Sequence, residues 1–277
     1  MPVVDQVPSR QLRDLQLADV EILREFGRVC EAHDLRYYLA YGTLLGAVLH
    51  RGFIPWDDDI DVTMPRPDYE RFARICASEP RPGFTWQSYR TDRHYPFLFG
   101  KLLKDGTVLR QAPWAHLPLQ HSVYIDVFPL DGGADGPWAK WAQRVVVRIA
   151  GARLRARCKR RRLKRVLVQL TRVIPRSAVI AVFEAMTGRV PTDGSTRWIC
   201  AGNWYGYRRQ RFPSGWFGPG ATQVFEGLSL VGPVEWDAYL AQVYGDYMTP
   251  PPVADRRSHH QVTEVRLEVP PVKRAAP

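Results

Sequence analysis

A chain of 277 residues with 45% hydrophobic and 24% charged residues can bury a substantial core, which excludes a disordered or fibrous class. The net charge of +11 is local: residues 138–183 hold 14 Lys or Arg and no acid, leaving −3 for the rest, so one segment offers a surface to something anionic. Cys30, Cys76, Cys158 and Cys200 form no Cys-x-x-Cys pair, which argues against a zinc site or disulfide framework, and no run reaches the ~18 apolar residues of a spanning helix.

The first sixteen residues carry charges where a signal peptide needs an apolar run. The expected location is the cytoplasm, with peripheral contact at the inner face of the plasma membrane left open. Residues 11–34 predict an amphipathic helix: Leu12, Leu15, Ala18 or Asp19, Ile22, Phe26 and Val29 recur at spacings of three and four, enough to cover one face of a sheet. Leu35 to Tyr41 reads as a short strand running into Gly42-Thr43 and a helix over 43–50. There glycine lets the backbone approach a ligand, Thr43 offers a hydroxyl, and the amides opening the helix attract an anion. Alone, a Gly-Thr pair is more often a plain turn.

After a loop with Pro55 and Trp56 comes a predicted strand carrying Asp57, Asp58, Asp59 and Asp61. Alternate strand residues share a face, which puts Asp57, Asp59 and Asp61 on one side and Asp58 and Ile60 on the other. Acidic runs are mostly solvated turns, but Ile54, Ile60, Val62 and Met64 frame this one as a strand entering a core. Carboxylates so stacked repel unless a hard divalent cation sits among them. Mg²⁺, or Mn²⁺ in its place, prefers oxygen ligands and keeps positions open for substrate phosphates.

The next predicted helix opens at Arg66-Pro67-Asp68-Tyr69, with Tyr69, Phe72, Ile75 and Cys76 as its apolar stripe. Arg66 is weighed evenly between a substrate phosphate and a structural partner. Residues 84–103 predict two strands around a turn; Lys101, on the second, suits a donor pyrophosphate, and Lys104 reads as a snorkelling surface lysine. Ser122–Leu130 is a further strand. An ionised Asp126 between Ile125 and Val127 is costly unless paired or metal-bound, which is the independent reason to bring it to Asp59 and Asp61. Asp131, before Gly132-Gly133, reads as a turn residue.

Residues 137–187 predict basic helices with RCKRRRLKR at 157–165, and residues 140–176 are the expected contact with anionic lipid or glycan. Nucleic acid is the weaker partner, since no stacking-aromatic module accompanies the charge. The last third is rich in aromatics, Gly and Pro. Trp204, Tyr205 and Trp216 are candidates to face an acceptor or a quaternary ammonium, FEGLSLVGP predicts a hairpin, Val234 to Tyr244 a helix, and the tail from Pro270 disorder.

The strings GTLLGAV and GFIPWDDDID resemble the LicD family, which includes bacterial phosphocholine transferases and animal fukutin-related transferases within the nucleotidyltransferase-fold superfamily. That superfamily is marked by a Gly-Gly or Gly-Ser type turn opening a helix, an Asp-x-Asp pair and a later third carboxylate. Gly42-Thr43, Asp59-Ile60-Asp61 and Asp126 match these in turn. The contexts of Arg66, Lys101 and the adjacent His259 and His260 also look family-like.

The resemblance implies an α/β (α+β) architecture: a small mixed sheet with flanking helices over residues 1–135, a basic helical insertion over 136–190, and an aromatic, loop-rich lobe over 191–277 completing the cleft. It further implies Asp59, Asp61 and Asp126 as metal ligands with Asp57 beside them, and substrate contacts from Gly42, Thr43, Arg66, Lys101, His259 and His260. The implied donor is a CDP-activated alcohol such as CDP-choline. The implied acceptor is a cell-surface glycan, lipopolysaccharide or teichoic acid, or its lipid-linked precursor. Two other readings stand beside this one: a nucleotidyltransferase moving an NMP from an NTP to a small molecule, and a basic binding protein with structural aspartates.

Overall fold

Burial follows the apolar periodicity of the first helix: Leu15, Ile22, Phe26 and Val29 are fully buried along α1 (Ser9–Ala32), which lies against the central sheet. The computed structural model describes residues 9–79, 81–155, 174–202, 205, 207–258 and 260–268. In chain order the next elements are β1 (Tyr38–Leu39), α2 (Tyr41–His50), β2 (Asp61–Pro65), α3 (Arg66–Ser78), β3 (Phe84–Gln87), β4 (Gly100–Lys104), β5 (Val108–Gln111) and β6 (Val123–Gly132). Then come α4 (Pro137–Leu154), α5 (Arg176–Arg189), β7 (Arg197–Ile199), β8 (Arg211–Pro213), β9 (Ala221–Phe225), β10 (Leu228–Gly232), α6 (Trp236–Tyr244) and β11 (Val262–Arg266). The fold is α/β, as the sequence predicts.

The central sheet runs β1-β2-β6-β4-β3, with β2 and β6 parallel and the other neighbours antiparallel. The parallel pair needs a long crossover, and the chain between β2 and β6 supplies it. Strand β6 is buried along its whole length, and its last residues pair with β7, so residues from the final third extend the same sheet. Strand β11 pairs with β5, a contact across more than 150 residues that no local pattern announces. The predicted FEGLSLVGP hairpin forms as β9 and β10, with Glu226 and Gly227 both at positive φ in its two-residue turn.

Three expectations are corrected. The strand proposed for 35–41 shrinks to Tyr38–Leu39, because Tyr41 takes a left-handed φ of 46° and opens α2 two residues early. The strand proposed for the aspartates begins only at Asp61; residues 57–60 are an extended approach whose carbonyls are held from outside, Asp57 by the Gln16 amide and Ile60 by the Asp126 N–H. Burial still alternates there, with Asp58 and Ile60 inside. Asp131 is no turn residue: it is the fully buried penultimate residue of β6 and receives a bidentate Arg66 guanidinium at 2.6 and 2.9 Å.

Helices α4 and α5 pack on each other, leaving Trp138 and Trp141 80% and 60% exposed. The basic run at 157–165, Trp204, His259 and the tail from Pro270 lie outside the described residues. Among the described residues no helix is long and apolar enough to cross a membrane.

Candidate active site

Register builds the site. Asp126 of β6 is paired with Asp61 of β2 on one side and with Lys101 of β4 on the other. Residues on one rung share a face of the sheet. Asp59, two residues before Asp61, reaches the same side, and carboxylate oxygens of Asp59, Asp61 and Asp126 all lie within 4.8 Å of one another. Asp57 stands outside that group of three, beside Gly42 of α2, and its side chain hydrogen-bonds Asp59.

The Gly42-Thr43 turn is tied to these acids through both residues. A Cβ on Gly42 would sit 2.6 Å from Asp57 Oδ2, so only glycine admits the Asp57 carboxylate at this approach. The Thr43 hydroxyl oxygen accepts the Asp61 N–H at 2.8 Å, fixing the start of β2 to the first turn of α2. Thr43 is thus already engaged in positioning a carboxylate.

Burial and like charge make the cluster electrostatically incomplete. Burial is the first cause that pushes Asp57 and Asp61 well above the usual carboxylate range, and repulsion from Asp59 adds to it. Burial also raises Asp59 and Asp126, against the pull of His260 on the first and Lys101 on the second. Lys101 Nζ lies 2.7 Å from Asp126 Oδ1 and 3.1 Å from the centre of the Tyr124 ring. Burial lowers the Lys101 pKa, and Asp126 opposes that.

His260 arrives from the far end of the chain, just before β11. Its Nδ1 is 3.0 Å from Asp58 Oδ1 and its Nε2 is 3.8 Å from Asp59 Oδ2, and these three groups form a second cluster of ligand-type atoms. Burial alone would lower the imidazole pKa, but Asp59 and Asp58 outweigh it and hold it up at about 9.

Asp19 was legible only as an acid intruding on the apolar stripe of α1. It is 1% exposed, and its Oδ2 has no hydrogen-bond partner. Burial first, then the charges of Asp59, Asp58, Asp126 and Asp57, hold its carboxyl well above the usual range, which places it in the field of the cluster. Arg66, by contrast, is occupied by Asp131 and Glu70. Tyr205 stacks on Tyr41 at 5.5 Å, and Trp216 packs beside Phe212.

Residues 34–131 match the family described as LicD/FKTN/FKRP, nucleotidyltransferase domain. The lipopolysaccharide cholinephosphotransferase LicD of Haemophilus influenzae is 29% identical over 263 residues, 90% of this chain and 96% of that protein. Residues 34–131 carry a domain of the LicD type, and the similarity to LicD continues along most of the chain. The human ribitol 5-phosphate transferase FKRP is 36% identical over 74 residues, 24% of this chain and 15% of that protein. The matched LicD domain holds Gly42, Thr43, the four clustered aspartates, Lys101 and Asp126. Asp19 and His260 come from outside it, on α1 and ahead of β11.

Proposed function

We propose that this LicD-like transferase moves a phospho-alcohol, phosphocholine in the first instance, from a CDP-activated donor to a sugar of lipopolysaccharide, teichoic acid or a lipid-linked glycan precursor. The observation that carries the reading is the convergence of Asp59, Asp61 and Asp126 beside the Gly42-Thr43 turn. A relative aligned along nearly the whole chain is named a cholinephosphotransferase, which supports the choice of alcohol.

The donor set fits Mg²⁺ or Mn²⁺: it consists of carboxylate oxygens within 4.8 Å of one another, and the buried, unpartnered Asp19 Oδ2 lies in the same field. Asp59, Asp61 and Asp126 would hold the ion. When bound, such an ion neutralises charge developing on the transferred phosphate.

The chain's own groups do the rest. Lys101, braced by Asp126 and Tyr124, sets a fixed cation at the edge of the cluster for a donor phosphate. Amides opening α2 would meet the same anion, beside the Asp57 carboxylate that Gly42 admits. His260, held by Asp58, places an imidazolium beside Asp59. The acceptor hydroxyl attacks the phosphorus bearing the alcohol, the bond from that phosphorus to the CMP oxygen breaks, and CMP leaves. Asp57, a carboxylate beside the metal-binding group and outside it, takes the hydroxyl proton. The reaction is cytoplasmic, and α4, with exposed Trp138 and Trp141 among Lys140, Arg144 and Arg148, docks the protein on anionic lipid near a membrane-borne acceptor.

Purified protein with Mg²⁺ and a panel of CDP-alcohols and NTPs tests this directly. CMP release from a CDP-alcohol, lost in Asp59→Asn with the fold intact, is the expected result. Pyrophosphate release from an NTP, with no CMP from any CDP-alcohol, would replace the reading with nucleotidyl transfer.

A further inference from the structure

Asp19 interrupts the sheet-facing stripe of α1 at its centre: Leu15, Ile22 and Leu23, at i−4, i+3 and i+4 around it, are fully buried, and Asp19 is almost as well covered. A leucine there would suit helix and core alike, whereas a carboxylate needs a partner. One turn earlier on the same side, Gln16 donates its amide to the Asp57 carbonyl at 2.9 Å, so this part of the helix rests on the stretch that carries the aspartates. Helix α1 also lies across β6 and β4, the strands that present Asp126 and Lys101. Asp19 thus meets the cluster from its buried side. Its Oδ2 has no hydrogen-bond partner. The charges that bear on it most are those of Asp59 and then Asp58, followed by Asp126 and Asp57, every one of its own sign. An acid kept among acids with an idle oxygen is accounted for by a positive charge, or by water that such a charge orders.

We propose that Asp19 is an outer carboxylate of the cation site, holding through Oδ2 a water from the hydration shell of an ion bound by Asp59, Asp61 and Asp126. The inference rests on the metal-dependent reading above and adds to it a residue from outside the matched LicD domain. Separation argues for an indirect role, because Asp19 belongs to neither group of ligand-type atoms lying within 4.8 Å of one another. The chemistry of the ion agrees: Mg²⁺ gives up water reluctantly and usually keeps several in its shell. An outer carboxylate orients such a water and adds negative charge where solvent is excluded, and both effects tighten ion binding. The cost falls on the ion-free protein, in which the same charge only adds repulsion. An Asp19 kept for packing alone predicts the opposite pattern: its removal would weaken the fold without the ion and leave ion affinity as it was.

The test measures Mn²⁺ binding by calorimetry on the full chain, and thermal unfolding in chelator and in saturating Mn²⁺, for two variants. Asp19→Asn keeps the shape and an oxygen that accepts from water; Asp19→Leu matches the rest of the stripe. Mn²⁺ should bind about tenfold more weakly to Asp19→Asn and about 100-fold more weakly to Asp19→Leu, which removes about 1.4 and 2.7 kcal/mol of the stabilisation that the ion confers. In chelator both variants should melt no lower than the unaltered chain. Unchanged Mn²⁺ affinity in both variants overturns the role of Asp19, and loss of binding in Asp59→Asn alongside it leaves the cation site standing. Weaker binding together with a lower melting temperature in chelator also overturns the proposal and returns Asp19 to the core. Failure of the unaltered chain to bind Mn²⁺ or Mg²⁺ overturns both this inference and the metal-dependent reading.

Discussion

At the residue scale the site depends on how closely carboxylates are brought together. Asp61→Asn removes one charge from a buried, self-repelling group. Turnover measured by CMP release should fall at least ~10²-fold, while the melting temperature in chelator rises by about 2–4 °C for each ~1 kcal/mol of repulsion relieved. An unchanged turnover would remove Asp61 from the machinery. Gly42→Ala is a finer probe. The added Cβ meets Asp57 Oδ2 at 2.6 Å, so the carboxylate must move, and a displacement near 1 Å costs about 10²-fold in rate with the fold kept. Wild-type CMP release from the alanine variant would show that the close approach has no catalytic part. The spacing of Asp59 and Asp61, the isolated Asp126 in an apolar strand and the glycine turn were all readable in the sequence, because each violates the local pattern around it. Asp19 also violates its pattern, but one acid on a long helix stripe has many structural explanations. Only the fold shows what it faces.

At the element scale, β6 is the organising strand. Its register with β2 and β4 sets Asp61, Asp126 and Lys101 on one rung, and its end carries Asp131 to Arg66. Strand existence was legible from alternating and continuous apolar runs, but register between strands 25 to 65 residues apart is decided by packing rather than by either strand alone. The same limit explains Asp131: Pro129 and Gly132-Gly133 read locally as turn formers, yet pairing with β7 keeps that end of β6 extended. Breaking a buried ion pair from one side is costly, so Asp131→Ala should lose about 3–5 kcal/mol in urea unfolding. Arg66→Lys, which keeps the charge and loses the bidentate geometry, should lose less stability and leave the KM for the donor unaltered. A raised donor KM in Arg66→Lys would restore the substrate-phosphate role considered for it.

For the whole molecule, the uneven distribution of charge is the prominent fact. The most basic stretch of sequence lies in the chain between α4 and α5, a pair that exposes two tryptophans, whereas the candidate site gathers acids. Cosedimentation with anionic vesicles should therefore be strong at low salt and weaken as salt rises, at about 1 kcal/mol per basic residue near the surface. Trp138→Ala with Trp141→Ala should reduce it while leaving transfer to a soluble acceptor intact. Equal sedimentation with neutral and anionic vesicles would argue against electrostatic docking. The uneven charge was legible in composition at once. It gave no sign that the first helix would close on the site through Gln16, and His260 was a candidate only through the family-like context of its histidine pair.

On the proposed reading, the hydrogen bond from the Asp61 amide to Thr43 joins a cation subsite to an anion subsite. Any shift of the helix opening on capturing an anion is felt by the strand that presents a cation ligand, and the reverse holds equally. Thermodynamic reciprocity then requires that cation and donor each tighten the other by one common factor. Turnover under scarcity of either should drop more steeply than two independent saturation curves multiplied together.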